Sequence, residues 1–152
     1  MLQPGEGAPA FSLSSESGTD VTLDGYRGKK VVLYFYPRDD TSGCTAEACG
    51  FRDNWEALTR AGAVVLGVSP DNVASHGKFK AKYDLPFPLL ADPDHVVAEA
   101  YGVWGEKSMY GKKYQGILRT TFVIDERGVI LKVFERVKPK EHAAEVLAVL
   151  KG

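Results

Sequence analysis

The chain has two cysteines, Cys44 and Cys49, five positions apart in 152 residues. A cysteine that loses its proton is a strong nucleophile, and two thiols in one short segment can exchange into a disulfide. Two cysteines are too few for a disulfide scaffold. They also lack the C-x-x-C spacing of zinc half-sites and thioredoxin-type redox centres. The three histidines, His76, His95 and His142, lie far from them in sequence. A metal site would have to be assembled from distant pieces, so metal-free thiol chemistry is the expectation.

These thiols need elements to hold them. Val31-Val32-Leu33-Tyr34-Phe35-Tyr36 is β-branched and aromatic with apolar residues on both faces. That pattern predicts a central strand buried on both sides, ended by Pro37. Thr41-Ser42-Gly43 then precedes a helix expected from about Cys44 to Arg60, with Thr41 or Ser42 as N-cap and Glu47 in the first turn. Ala48, Phe51, Trp55 and Leu58 recur at three and four, giving one apolar stripe, and Gly62 follows as the stop. Val64 to Val68 reads as a second buried strand. Ser69-Pro70-Asp71 opens a helix running to about Tyr83, and Leu89-Leu90 is a short apolar piece. Val96 to Tyr101 reads as a short helix. Thr120–Asp125 and Val129–Phe134 form a hairpin across Glu126-Arg127-Gly128. Ala143, Val146, Leu147 and Leu150 line a closing helix. With short strands at Phe11–Leu13 and Val21–Leu23, the order predicts an α/β domain. Its mixed sheet is parallel through the crossovers and antiparallel at the hairpin. This resembles the thioredoxin-like order, with an N-terminal strand extension and an insertion near residues 102–118.

Composition bounds the function. Acidic residues number 20 and basic residues 19, for a net charge of −1. Attraction to nucleic acid or an anionic membrane by bulk charge is excluded. The longest apolar run, Val31 to Tyr36, falls far short of the roughly 20 residues of a membrane helix. Apolar residues make up 44% and charged residues 26%, as expected of one soluble domain over residues 1–152. The N-terminus, MLQPGEGAPA, has neither the basic nor the apolar region of an export signal, so a cytoplasmic protein is expected.

A free thiol of pKa about 8.5 is only ~3% thiolate at pH 7. Lowering that value to about 6 takes ~3.4 kcal/mol of differential stabilisation, of which a helix N-terminus supplies about 1 kcal/mol. A second cation is needed, and an arginine suits because it never loses its charge. On a wheel of about 100° per residue, Ala48, Phe51 and Trp55 fall within about 40° of Cys44, whereas Cys49 lies about 140° away. Cys44 therefore aligns with the core stripe. On an intact helix the two Cα atoms would be roughly 8.6 Å apart, beyond the limit of about 7 Å for a disulfide. Bonding requires part of the helix to unwind. Gly50, in mid-helix beside Cys49, would either ease that melting or permit close packing.

Pro37-Arg38-Asp39-Asp40-Thr41-Ser42-Gly43-Cys44 matches the P-x-x-x-T-x-x-C signature of peroxiredoxins. Its continuation, Cys44-Thr45-Ala46-Glu47-Ala48-Cys49, resembles the C-T-x-E-A-C of the Q-type branch, the bacterioferritin comigratory proteins. Trp104-Gly105-Glu106-Lys107, Tyr110-Gly111-Lys112 and Gly116 to Asp125 resemble the same branch. The resemblance implies a thioredoxin-fold thiol peroxidase that needs no metal, flavin or haem. It implies that Cys44 attacks the peroxide and that Cys49 resolves the sulfenic acid as an intramolecular disulfide. Thr41 would present its hydroxyl to peroxide and thiolate, Pro37 would shield the pocket, and Arg119 would be the second cation. Thioredoxin is the implied reductant, with glutaredoxin as the other candidate, and the chain is expected to be a monomer.

Each residue also has a plainer reading. Arg119 could be a surface ion-pair partner, Thr41 an N-cap and Pro37 a strand terminator. Glu47 could serve the helix dipole or orient Arg119. Trp104 and Tyr110 are expected to be packing aromatics of the insertion. Two other functions compete: a thioredoxin-like protein disulfide oxidoreductase, and a binding module with inert thiols.

Overall fold

The computed structural model describes residues 1–151. Its nine strands are β1 (Ser12–Ser15), β2 (Asp20–Thr22), β3 (Lys30–Phe35), β4 (Ala63–Ser69), β5 (Leu89–Ala91), β6 (Trp104–Met109), β7 (Lys112–Ile117), β8 (Thr120–Ile124) and β9 (Ile130–Glu135). Its helices are α1 (Ser42–Asp53), α2 (Trp55–Arg60), α3 (Val73–Tyr83), α4 (Val96–Ala100) and α5 (His142–Lys151). Seven strands form one sheet in the order β2-β1-β5-β4-β3-β8-β9, and β6-β7 is a separate ribbon. β3, β4 and β5 run parallel, whereas β8 lies antiparallel to β3 and β9 to β8. This is the mixed sheet that the element order predicts. Among the described residues no helix is long and apolar enough to cross a membrane.

β3 is the central strand, and its period-two alternation feeds two cores. Val32, Tyr34 and Tyr36 face a layer built with Cys44, Ala48, Phe51, Leu58, Phe79 and Val146. Val31, Leu33 and Phe35 face the opposite layer, with Val97, Tyr101, Ile117 and Phe122. The sheet is thus covered by α1, α2, α3 and α5 on one side. The other side carries α4 and the root of the β6–β7 ribbon.

Several strand ends shift by a residue or two, and the larger differences from expectation lie at α1, α2 and α3. The expected Cys44–Arg60 helix starts at Ser42 and breaks at Asn54. The Asn54 side-chain amide donates to the Gly50 carbonyl at 2.8 Å, the local competition with the helical ladder that asparagine favours. Glu47 therefore sits in the second turn, not the first, and is buried. α3 does not open at Ser69-Pro70-Asp71. β4 runs on to Ser69, and Asn72 caps α3 by accepting from the Ser75 N–H at 2.8 Å. Tyr110 is no packing residue: it sits 99% exposed at the tip of the ribbon. Trp104 does pack, stacked on His95 with centroids 3.8 Å apart.

Candidate active site

The Cys44 site forms where β3 ends and α1 begins. Pro37 is half-buried just after β3, at the start of the connecting loop. Two aspartates tie that loop down. The Asp39 N–H donates to Asp71 Oδ2 at 2.7 Å, and the Asp39 carboxylate accepts from Tyr36 at 2.6 Å and Ser75 at 2.8 Å. Asp39 also meets the buried His76 ring at 2.7 Å. Asp40, in left-handed backbone at φ 57°, accepts from Lys82 at 2.7 Å and Tyr83 at 2.8 Å. Asp39, Asp71 and His76 bring three ligand-type atoms within 4.8 Å of one another. Asp39 Oδ2 bonds His76 Nδ1, Asp71 Oδ2 accepts from the Asp39 N–H and the Ser69 hydroxyl, and the trio acts as a clip on the loop.

α1 then starts with Thr41 in the N-cap position, extended at φ −90°, ψ 157°. The first intrahelical bond runs from the Thr45 N–H to the Thr41 carbonyl at 2.8 Å. The N–H groups of Ser42, Gly43 and Cys44 precede it and have no helical acceptor, so they form a positive cradle. The Thr41 hydroxyl does not cap them. It donates back to the Arg38 carbonyl at 3.0 Å, which leaves its lone pairs free to accept.

Cys44, the third residue of α1, is 1% exposed, and Cys49 is half-buried on another side of the same helix. Both are free thiols. Arg119 precedes β8, whose first residue, Thr120, pairs with Phe35 at the end of β3. The antiparallel register therefore brings Arg119 to the start of α1. Its Nη2 donates to Cys44 Sγ at 3.2 Å and its Nη1 to Glu47 Oε1 at 2.8 Å. Gly43 makes room, because a Cβ there would lie 3.3 Å from Arg119 Nη2. Arg119 is thus not the surface ion-pair partner of its plainer reading. Glu47 takes the second of its two readings and orients the guanidinium.

Burial raises the Glu47 pKa to about 7, with Arg119 pulling the other way. Burial also works against the Arg119 charge, but Glu47 and Cys44 outweigh it and hold its pKa up. Burial, then Arg119, lowers the His142 pKa to about 4, so this ring is neutral at pH 7. His142 Nε2 lies 2.7 Å from Thr121 Oγ1. Burial, then Glu47 and Cys44, raises the Tyr34 pKa, and its hydroxyl has no partner among the described residues.

Glu47 has a consequence for stability. Its pKa is raised by folding, so the native state holds the proton more tightly than the unfolded chain. Its contribution to stability therefore falls as pH climbs from 4.5 to about 7. His142 acts oppositely, since its lowered pKa makes stability rise between about 4 and 6.5. Glu47→Gln should remove only the first effect. Thermal unfolding across this range should show the variant gaining on the wild type as pH rises; parallel curves would refute the assignment.

A groove of about 670 Å³ lies beside the helix start, lined by Ser42, Gly43, Ala46 and the Val137–Glu141 segment. Sequence reasoning named Cys44, Cys49, Thr41, Arg119 and Pro37 as site candidates but not Asp39, Asp40, His76, Tyr34 or His142. Only the doubled aspartate before Thr41 hinted at the loop clip. The pairing of His76 with Asp39 spans 37 residues and leaves no local trace.

Residues 4–133 match the AhpC/TSA family. The chain is 50% identical over 150 residues to peroxiredoxin Bcp of Bacillus subtilis, covering 99% of this chain and 96% of that protein. A solved variant of Xylella fastidiosa PrxQ superposes with a TM-score of 0.94 at 37% identity, covering 99% of this chain and 96% of the other. The Xanthomonas campestris bacterioferritin comigratory protein, studied for its alkyl peroxide reduction activity, gives a TM-score of 0.88 at 42% identity, covering 93% and 90%. With a thiol under an arginine fork at a strand–helix junction, and with relatives of this closeness along nearly its whole length, the chain belongs to the AhpC/TSA family as a Q-type, thioredoxin-fold peroxiredoxin.

Proposed function

We propose that this 152-residue chain works as one domain and reduces hydrogen peroxide and organic hydroperoxides through Cys44. The Arg119 fork shared by Cys44 and Glu47 carries this reading. A guanidinium and three free helix N–H groups converge where negative charge develops as sulfur attacks oxygen. The Cys44 thiolate attacks the terminal peroxide oxygen, an S–O bond forms and the O–O bond breaks. The departing oxygen takes a proton and leaves as water or an alcohol. Thr41 accepts a hydrogen bond from the peroxide, and Pro37 shields the pocket mouth. The apolar groove at Ser42, Gly43 and Ala46 supports an organic tail on the substrate, in keeping with the activity ascribed to the Xanthomonas relative.

The Cys49 thiolate then attacks the Cys44 sulfenic sulfur, water leaves and a disulfide forms. A dithiol returns two electrons and two protons; thioredoxin is the reductant in this reading, and the chain acts as a cytoplasmic monomer. The test is NADPH consumption coupled through thioredoxin and its reductase, with hydrogen peroxide and an alkyl hydroperoxide in parallel. Peroxide-dependent turnover is expected with both. Insulin reduction without any peroxide dependence would instead identify a disulfide reductase.

Disulfide formation requires α1 to open, since an intact helix holds the two Cα atoms roughly 8.6 Å apart. A Cβ on Gly50 would sit 3.7 Å from the Ala143 Cβ, an ordinary contact. Close packing therefore does not demand this glycine. Gly50→Ala should stiffen α1 by about 1 kcal/mol and slow disulfide closure about fivefold. Stopped-flow fluorescence after a peroxide pulse measures that step, and an unchanged rate would remove the idea.

A further inference from the structure

Gly105 and Gly116 face each other across the β6–β7 ribbon. Neither has a side chain, so this face of the ribbon holds a bare lane. Lys107 lies in it. Although Lys107 is paired directly with Tyr114, its Cδ passes 3.1 Å from where a Gly116 Cβ would be. The side chain thus leans toward the end of β7 that continues into Leu118 and Arg119. Leu118 Cδ1 walls the lane, 3.2 Å from the Cβ position of Gly105. Lys107 is half-buried, while Glu106 and Ser108 beside it are exposed. The ion pair on the ribbon joins Glu106 to Lys113 at 3.5 Å, and among the described residues no carboxylate pairs with Lys107.

A half-buried ammonium near a guanidinium is unfavourable unless an anion faces it. Burial and then Arg119 do lower the Lys107 pKa, and Cys44 is the group that opposes them. Glu47, the carboxylate beside Cys44, is bonded to Arg119.

We propose that Lys107 is a further cation of the thiol site beside Arg119, aimed along the glycine lane so that its field favours the thiolate of Cys44. This rests on Cys44 being the reacting thiol. The other titratable groups facing Cys44 are Arg119 before β8, Glu47 on α1, Tyr34 on β3 and, beyond Arg119, His142 on α5. All are unchanged in the variants below, so differences between variants report Lys107.

The experiment follows thiolate ultraviolet absorbance against pH in the Cys49→Ser protein, where Cys44 is the sole thiol. Lys107→Met removes the charge, and Gly116→Val keeps the charge but fills the lane. Both should move the titration midpoint up by about half a unit or more. Below the midpoint, the rate of peroxide consumption in the first turnover should fall about threefold. Lys107→Arg should restore both. Lys113→Met, a charge loss of equal size farther along the ribbon, should change neither. An unmoved midpoint in both Lys107→Met and Gly116→Val would overturn the proposal, as would an equal shift in Lys113→Met. If the midpoint moves but no variant or parent consumes peroxide, the peroxidase reading fails and the electrostatic role of Lys107 stands.

Discussion

Cys44→Ser is expected to reduce peroxide-dependent NADPH consumption to the uncatalysed background, whereas Cys49→Ser should consume one equivalent of peroxide and then stall. A serine hydroxyl stays protonated at neutral pH and cannot become the polarisable anion that breaks an O–O bond. The Arg119 donor that meets Cys44 Sγ at 3.2 Å would then face an uncharged oxygen. In the proposed mechanism Cys49 is different, because it takes no part until the sulfenic acid exists. In Cys49→Ser that acid persists, so an added small thiol should restart turnover, and excess peroxide should drive irreversible over-oxidation. Intact-mass measurement after one equivalent of peroxide separates these states. Turnover retained in Cys44→Ser would sink the mechanism; full turnover in Cys49→Ser without added thiol would remove the resolving role.

Arg119→Lys is expected to cost roughly ten- to a hundredfold in the second-order rate with peroxide. The guanidinium makes two separate bonds in fixed directions, to Cys44 Sγ at 3.2 Å and Glu47 Oε1 at 2.8 Å. An ammonium on a flexible stem can serve one of them well but not both in that planar geometry. Losing a charge-assisted bond in a buried site amounts to about 1.5–3 kcal/mol. At about 1.4 kcal/mol per factor of ten, that gives the stated range. The loss should appear in the oxidation step, read by stopped flow, and not in reduction of the disulfide. Near-normal oxidation in Arg119→Lys would make the arginine a structural residue.

Much of this was legible in the residues. The unbroken apolar run from Val31 to Tyr36 reads as a strand buried on both faces, and β3 feeds both cores. The apolar stripe through Ala48 and Phe51 placed Cys44 on the core side of its helix, where it is 1% exposed. Helical periodicity could not reveal the break at Asn54, because that depends on which backbone group a short amide side chain captures. Placing the helix start at Cys44 and not Ser42 put Glu47 one turn too early and left its role open between dipole and arginine.

The linear order of residues determined the two thiols, their separation around a helix and the strand–turn–helix that exposes free N–H groups. These are local properties, set by spacing and by the period of the elements. Only the tertiary structure decided which groups surround the thiol. Arg119 lies 75 residues from Cys44, and the antiparallel register of β8 on β3 brings it there. Glu47 is shifted to about 7 by burial, and burial is a property of the packed layers. Lys107 leans toward the end of β7 that precedes Arg119 because the ribbon's register sets Gly105 opposite Gly116. Charge acts through space, so the electrostatics of the thiol were set by packing and register, while the thiol itself was written in the chain.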